Sequence, residues 1–491
     1  MPALDQLEPA AVWRHFSTLL NTPRPSKHEG PLRDAIRSWA ETRALATHVD
    51  AAGNLIIRKP ATHGMEDRPG VVLQGHLDMV CQKNHATEHD FHRDPIRAEL
   101  QDGWLIAPNT TLGADNGIGV ALALALLESS DVPHPPLEVL LTVDEEAGMG
   151  GALGLEPGLL QGSLMINIDT EEWGEFYLGC AGGIDVNVSF TYAFEALPEG
   201  FACYEIEVGG LRGGHSGVDI HLERGNAIKL LVRLLRGLEG RFGKDVRLVE
   251  LDGGSARNAL AREARARIAL PIAQAERVAS RVEDFDLLVR GELAGVDDGV
   301  SVRFGPANGL AQQAIDATDQ QRILAALHAA PHGVRRMSQR VAGVVETSNN
   351  LGVVKIADGQ GFANLMVRSL LDSGVQALAA EIESLFVLAG AAVQTEGGYP
   401  GWAPNPDSDL LKLFQRVYQH EFTTGPAAVK VIHAGLECGI LKSKYPDLDI
   451  ISFGPDIRGA HAPGERVNIE SVAKCWKLLT AVVANIPTAD A

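Results

Sequence analysis

The chain has 491 residues, 45% of them apolar, with 43 Lys plus Arg against 63 Asp plus Glu and a formal charge of −20 near neutral pH. That length and apolar content suit a globular protein of two or more domains, and the negative charge repels phosphate backbones and anionic membrane surfaces, so neither nucleic acid nor a membrane is an expected partner. The five cysteines, Cys81, Cys180, Cys203, Cys438 and Cys475, show no CxxC spacing and read as free thiols of a reducing compartment. With no basic-then-apolar leader in MPALDQLEPAAVWRHF and no apolar run near ~18 residues, a cytoplasmic location is expected.

In chain order, residues 8–45 predict helix interrupted at NTPRPSKHEGP, Gly53-Asn54 turns into a short LIIR strand, and VVLQGHLDMV follows as a nearly continuous apolar strand. Side chains two apart on a strand share a face, so His76 and Asp78 are expected side by side, with Leu77 pointing away. A loop-rich stretch leads to the helix IGVALALALLESS and the strands LEVLLTVDEE and SLMINID. Short apolar strands alternating with helices predict an α/β layer with a mainly parallel central sheet flanked by helices. Near residue 185 the texture changes: IDVNVSFTYAF and ACYEIEVGGL alternate apolar and polar residues, as a sheet with one solvated face does, and the helix NAIKLLVRLLRGL follows. A comparable series, SVRF, DQQRILAALHAA, VAGVVET, NLMVRSLL and VQALAAEIESLFVLAG, runs from roughly 300 to 390. Together these read as an inserted α+β domain of two similar lobes, each of about 100 residues. After the turn-rich EGGYPGWAPNPDSD, the run LDIISFGP again reads as a buried strand. The expected division is therefore 1–185 with 396–491 as one discontinuous domain, and 186–395 as the insertion.

Five stretches, GHLDMV, LGADNGIG, VDEEAG, INIDTEE and GAHAPGE, put acids or histidines where apolar strands run out or where the chain turns at glycine. Open α/β sheets assemble their sites at the carboxyl ends of strands. Imidazoles and carboxylates without thiolate suit a borderline divalent metal, zinc first, with manganese and cobalt also suited. Asp115, flanked by glycines that permit close backbone approach, is a reasonable bridge between two metals ~3.5–4 Å apart, although GADNG alone reads more readily as a helix N-cap turn. Glu145 and Glu146 alone read as a solvated strand end; in a metal site one ligates while its neighbour acts as general base. Asp169 could cap the segment that follows it, and His461 and His215 could be loop histidines, His215 bonded to its own backbone. Jointly, these plain readings require five coincidences. GADNGIG lacks the GxGxxG spacing, nothing matches GxxxxGK[ST], and GHSG is not the GxSxG of a nucleophile elbow. Arg368 in NLMVRSLL and the backbone around Gly435 in HAGLECG are candidates for gripping a substrate carboxylate, with a surface strand arginine as the equal alternative for Arg368.

HLD, ADNG, DEE, NIDTEE and HAPGE, in this order, resemble the M20-type dinuclear metallopeptidase family, which contains aminoacylase, carnosinase and the dipeptidases. GHLDMVCQKN, GGHSGVDIHLERGNA and HAGLECG are most similar to its Xaa-His dipeptidases, and the resemblance runs over essentially the whole chain. It implies a catalytic domain carrying an inserted lid. It further implies two metal ions, one held by His76, Asp115 and Asp169 and the other by Asp115, Glu146 and His461. Asp78 would orient His76, Glu145 would be the general base, and His215 would face the developing oxyanion. A cis peptide from Asp115 to Asn116 is implied as well. The implied activity is dipeptide hydrolysis by metal-activated water, preferentially of Xaa-His and with carnosine-type substrates within range. A deacylase or carboxypeptidase on the same scaffold and a non-catalytic metal-binding module are the competing readings. A small peptide is thus the expected partner, with homodimerisation left open. The doubled insertion resembles dipeptidases in which the second lobe takes the place of a partner subunit, so His215 is expected to act within its own chain.

Overall fold

The runs VVLQGH and LEVLLT form the strands Val71–His76 and Leu137–Thr142, and every residue of both is buried. Branched apolar side chains on alternate faces suit strands covered on two sides. These strands lie at the centre of an eight-stranded sheet in the order Ala46–Val49, Leu55–Lys59, Leu137–Thr142, Val71–His76, Leu164–Asn167, Asp449–Ser452, Glu175–Cys180, Ala428–Ile432. The central strands pair in parallel, while Leu55–Lys59 and Glu175–Cys180 pair antiparallel with their inner neighbours. The computed structural model describes residues 4–307, 311–423 and 425–488.

Helix Ala114–Glu128 is apolar on all sides and buried from Asn116 to Leu127, as a helix enclosed between layers must be. It packs on the His76 strand and on helix Ala10–Asn21. Its Gly117 is required for this contact, since a Cβ there would lie 2.9 Å from the Phe16 ring. The chain departs after Glu175–Cys180 and returns to pair Asp449–Ser452 in parallel with Leu164–Asn167, so this unit is discontinuous: Met1–Gly179, Pro404–Val431 and Leu436–Ala491.

The second unit comprises Cys180–Ala403 and Ile432–Gly435. The unit changes at 179/180 and 403/404, rather than at 185/186 and 395/396 as expected. The reason is that Gly182–Thr191 and Ala392–Tyr399 are neighbouring strands of the insertion's sheet, so the glycines of EGGY belong to a strand and not to a linker. That sheet runs Ser301–Pro306, Phe201–Gly209, Ala264–Pro271, Arg247–Gly253, Val345–Ala357, Gln360–Ser369, Gly182–Thr191, Ala392–Tyr399.

It consists of two βαββαβ halves with the same spatial strand order, joined where Leu251–Gly253 pairs with Val354–Ile356. The halves are nested in the chain, whereas consecutive lobes were expected. Gly182–Thr191 opens the second half, pairing with Gln360–Ser369, and the entire first half is inserted before helix Ala317–Ala329 continues it. Ser301–Pro306, read from sequence as opening the second lobe, closes the first by pairing with Phe201–Gly209. Alternation identifies the faces of a strand but says nothing of which edge it joins. One hydrophobic core, from Val186 and Ile206 to Ile382 and Phe386, runs through both halves.

Candidate active site

The strand carrying His76 stops at that residue, so Asp78 lies beyond the strand and not on its face. The two still meet, with His76 Nδ1 3.3 Å from Asp78 Oδ1. His76 Nε2 lies 3.2 Å from Asp115 Oδ1 and 3.5 Å from Asp169 Oδ1. His461 Nε2 lies 3.2 Å from Asp115 Oδ2 and 3.1 Å from Glu146 Oε1. Asp115 therefore turns one oxygen toward each histidine. It sits at the entry to helix Ala114–Glu128, where the Asp115–Asn116 peptide is cis. Glu145 and Glu146 do not form a solvated strand end: after Asp144 turns in the left-handed region, they open the short helix Glu145–Gly148.

Asp78 reaches further than His76. Its Oδ1 accepts from the Glu145 N–H at 3.0 Å, and its Oδ2 accepts from the Glu146 N–H at 3.1 Å and from Ser26 Oγ at 2.7 Å. Burial would raise this carboxyl, but His76 and these donors hold it at about 2. Burial pushes the His76 imidazole down, yet Asp169, Asp115 and Asp78 lift it well above its ordinary value. Asp115 and Glu146 raise His461 to about 11. Burial, with Asp115 and Glu146 adding and His76 opposing, lifts Asp169 to about 7. Burial also raises Glu145 well above the usual carboxylate range, His76 opposing and Asp169, Glu437 and Glu146 adding.

Carboxylates thus outnumber imidazoles in this cluster. Donor atoms of His76, Asp115 and Glu146 all lie within 4.8 Å of one another. This oxygen and nitrogen set, with its excess of negative charge, fits divalent cations.

A polar layer lies one step behind these residues. Gln74 Nε2 and Thr142 Oγ1 both donate to Glu437 Oε2 at 2.7 Å, and Asn167 bonds to both Gln74 and Ser452. All five are at most 1% exposed, and the layer ties together the strand ends from which His76, Glu145 and Asp169 project. Burial lifts Glu437 to about 7. Sequence reasoning did not single out Ser26, Gln74, Arg24, Glu437 or Glu465. Glu437 and Glu465 lie inside the quoted motifs HAGLECG and HAPGE, and that was the available signal.

The remaining candidates belong to the second unit. The plain reading of His215 holds in part: its Nδ1 accepts from the N–H groups of Gly217 at 3.2 Å and Val218 at 2.9 Å. That arrangement leaves the proton on Nε2, a donor. Burial and Arg368 push this imidazole down to about 4, so it is neutral near pH 7. Arg368 is only 4% exposed, which overturns the surface-arginine reading. Its Nη1 donates to Tyr399 Oη at 2.7 Å and its Nη2 to Ser216 Oγ at 3.4 Å, both neutral partners. Gly435 meets the same tyrosine, since a Cβ there would lie 2.7 Å from Tyr399 Cε2. His433 Nε2 pairs with Ser348 Oγ at 2.7 Å, and sequence reasoning missed both.

The profile of Peptidase family M20/M25/M40 matches residues 72–485. The cytosol non-specific dipeptidase of Escherichia coli (strain K12) is 45% identical over 488 residues, covering 99% of this chain and 100% of that protein. The crystal structure of aminoacylhistidine dipeptidase from Vibrio alginolyticus matches with a TM-score of 0.93 at 44% identity, covering 99% of this chain and 98% of that one. Aminopeptidase PepT from Bacillus cereus ATCC 10987 matches with a TM-score of 0.56 at 15% identity, covering 98% and 99%, a likeness of fold alone.

Proposed function

The chain belongs to peptidase family M20/M25/M40, and from that premise we propose that it is a metal-dependent dipeptidase acting foremost on Xaa-His, with carnosine-type substrates within range. The Vibrio relative is named for aminoacylhistidine substrates and the Escherichia relative for non-specific cleavage, so the preference for histidine is the finer part of this reading. The observation that carries it is Asp115 set between His76 and His461, with one oxygen toward each.

We assign His76, Asp115 and Asp169 to one cation, and Asp115, Glu146 and His461 to a second, zinc being the first choice and manganese or cobalt the next. Bound there, the cations supply Lewis acidity to water and to the scissile carbonyl. Glu145, beside the ligand Glu146, takes a proton from the attacking water and later hands it to the leaving amine. His215 donates its Nε2–H to the carbonyl oxygen as negative charge develops there. Asp78 fixes the ring of His76 and the backbone of both glutamates together. Arg368 and the backbone at Gly435 take the substrate carboxylate, the guanidinium being buried among neutral partners and so in want of an anion.

A cytoplasmic location accords with the name of the Escherichia relative, and no helix among the described residues is long and apolar enough to cross a membrane. Mixing His215→Ala with Glu145→Ala protein tests whether His215 acts within its own chain: no activity is expected to return, whereas recovery would place it across a homodimer. The function itself is tested by metal analysis and a dipeptide panel with and without chelator. Xaa-His cleavage should vanish on chelation, return with zinc or manganese, and exceed cleavage of N-acylated amino acids. Hydrolysis indifferent to chelator, or faster on N-acyl amino acids, would overturn the reading.

A further inference from the structure

The backbone on which Asp115 rides is held from both sides by buried charges. On one side the Glu465 carboxylate, 1% exposed, accepts from consecutive N–H groups: Leu112 at 2.7 Å and Gly113 at 3.0 Å on Oε2, Ala114 at 2.7 Å and Asp115 at 3.3 Å on Oε1. On the other side Arg24, 2% exposed, donates from Nη2 to the Gly113 carbonyl at 2.5 Å. Its Nη1 donates to the carbonyls of Leu77 at 2.9 Å and Asp78 at 2.7 Å, the backbone that follows His76. One guanidinium thus ties the loop of His76 to the loop of Asp115. Glu465 ties the loop of Asp115 to its own loop, which carries His461.

Gly113 makes this possible. Its φ of 71° is left-handed, and a Cβ there would lie 2.4 Å from Arg24 Nη2. The glycines on either side of Asp115, Gly113 and Gly117, thus make room for Arg24 and Phe16. Apolar packing could fill such a space at lower desolvation cost, so buried charges here call for a use beyond filling it.

We propose that Glu465 and Arg24 are positioning residues that hold the Asp115 carboxylate between His76 and His461. Neither touches the substrate or the cations; Glu465 acts through the backbone of residues 112–115, and Arg24 through the carbonyls of Gly113, Leu77 and Asp78. The inference rests on the reading of Asp115 as the ligand shared by two cations.

The test is a double-mutant cycle on metal affinity, read by chelator competition on the purified full chain. Glu465→Gln keeps the volume but turns an amide N–H₂ toward two of the N–H donors. It should weaken metal affinity roughly 10- to 100-fold and lower kcat with KM little changed. In an Asp115→Asn background the same substitution should add little, because a residue acting through Asp115 has nothing left to position. A lowered melting temperature with unchanged metal affinity, or an undiminished effect in the Asp115→Asn background, would overturn the proposal. Full metal affinity in Asp115→Asn alone would instead overturn the assignment of Asp115 as the shared ligand. Should Glu465→Gln fail to fold, Arg24→Lys, which keeps the charge but loses the fork, is read in the same cycle: its effect on metal affinity should shrink in the Asp115→Asn background to the part carried by the Leu77 and Asp78 carbonyls behind His76, and an undiminished effect would overturn the proposal.

Discussion

In the first unit His76 and His461 face carboxylates, which raise both, His461 to about 11. In the second unit burial lowers His215 and His332 to about 4 and His433 to about 3, with Arg368 adding at His215 and His433 and Lys229 at His332. The same side chain is thus put to opposite uses. Among surplus carboxylates an imidazole completes a donor set whose negative charge a cation can neutralise. Among cations and backbone N–H groups it stays neutral, with its tautomer set by what it accepts: His332 Nδ1 takes the Leu351 N–H at 3.3 Å as His215 Nδ1 takes that of Val218 at 2.9 Å. Charge environment, not residue type, separates the two groups.

Substitutions can break that contrast in order of expected effect. Glu145→Gln should cut kcat by roughly 10²–10⁴-fold with metal content unchanged, measured by steady-state kinetics beside metal analysis; unchanged hydrolysis with metal retained would sink the assignment of the base. His215→Ala should follow, with a loss of roughly 10²-fold or more in kcat and again full metal content, whereas His461→Ala should lose metal. If both histidine variants lost metal alike, the contrast between the units would fail.

Asp78→Asn should keep most of the metal while lowering the rate by about tenfold or somewhat more, since its partners include the backbone of Glu145 and Glu146. The smallest effect is on acid stability. The folded His332 titrates at about 4 against an ordinary 6.5, so below pH 6.5 the unfolded chain takes up a proton that the folded one refuses. Stability is then full above pH 6.5 and falls toward pH 4, by at most ~1.4 kcal/mol per pH unit for one such group. Urea midpoints between pH 7 and pH 5 should show a shallower acid limb for His332→Gln than for the unaltered chain.

Legibility differed between the parts of the site. His76, Asp115, Glu146, Asp169 and His461 could be singled out because each sits in a short stretch where an apolar strand or glycine turn gives way to an acid or an imidazole, and the structure brings them within a few ångströms of one another. Arg24 could not, because its partners are main-chain carbonyls at Leu77, Asp78 and Gly113, which leave no mark in side-chain chemistry. Arg368 was ambiguous for a related reason: its strand looks alike whether its polar positions face water or a half-buried tyrosine.

By itself the sequence determined local matters: which runs are strands or helices, and that a parallel α/β layer gives way to an alternating α+β one. These follow from periodicity and residue type within about a dozen neighbours. Only the tertiary structure decided that Gly182–Thr191 belongs with a half-sheet resumed more than 120 residues later, and that Asp78 serves two glutamates as well as a histidine. It alone set Glu465 and Arg24 on opposite sides of the backbone that carries Asp115. Edge choice in a sheet and hydrogen bonds to distant main chain depend on which segments meet in space, and every residue offers the same N–H and C=O for such meetings.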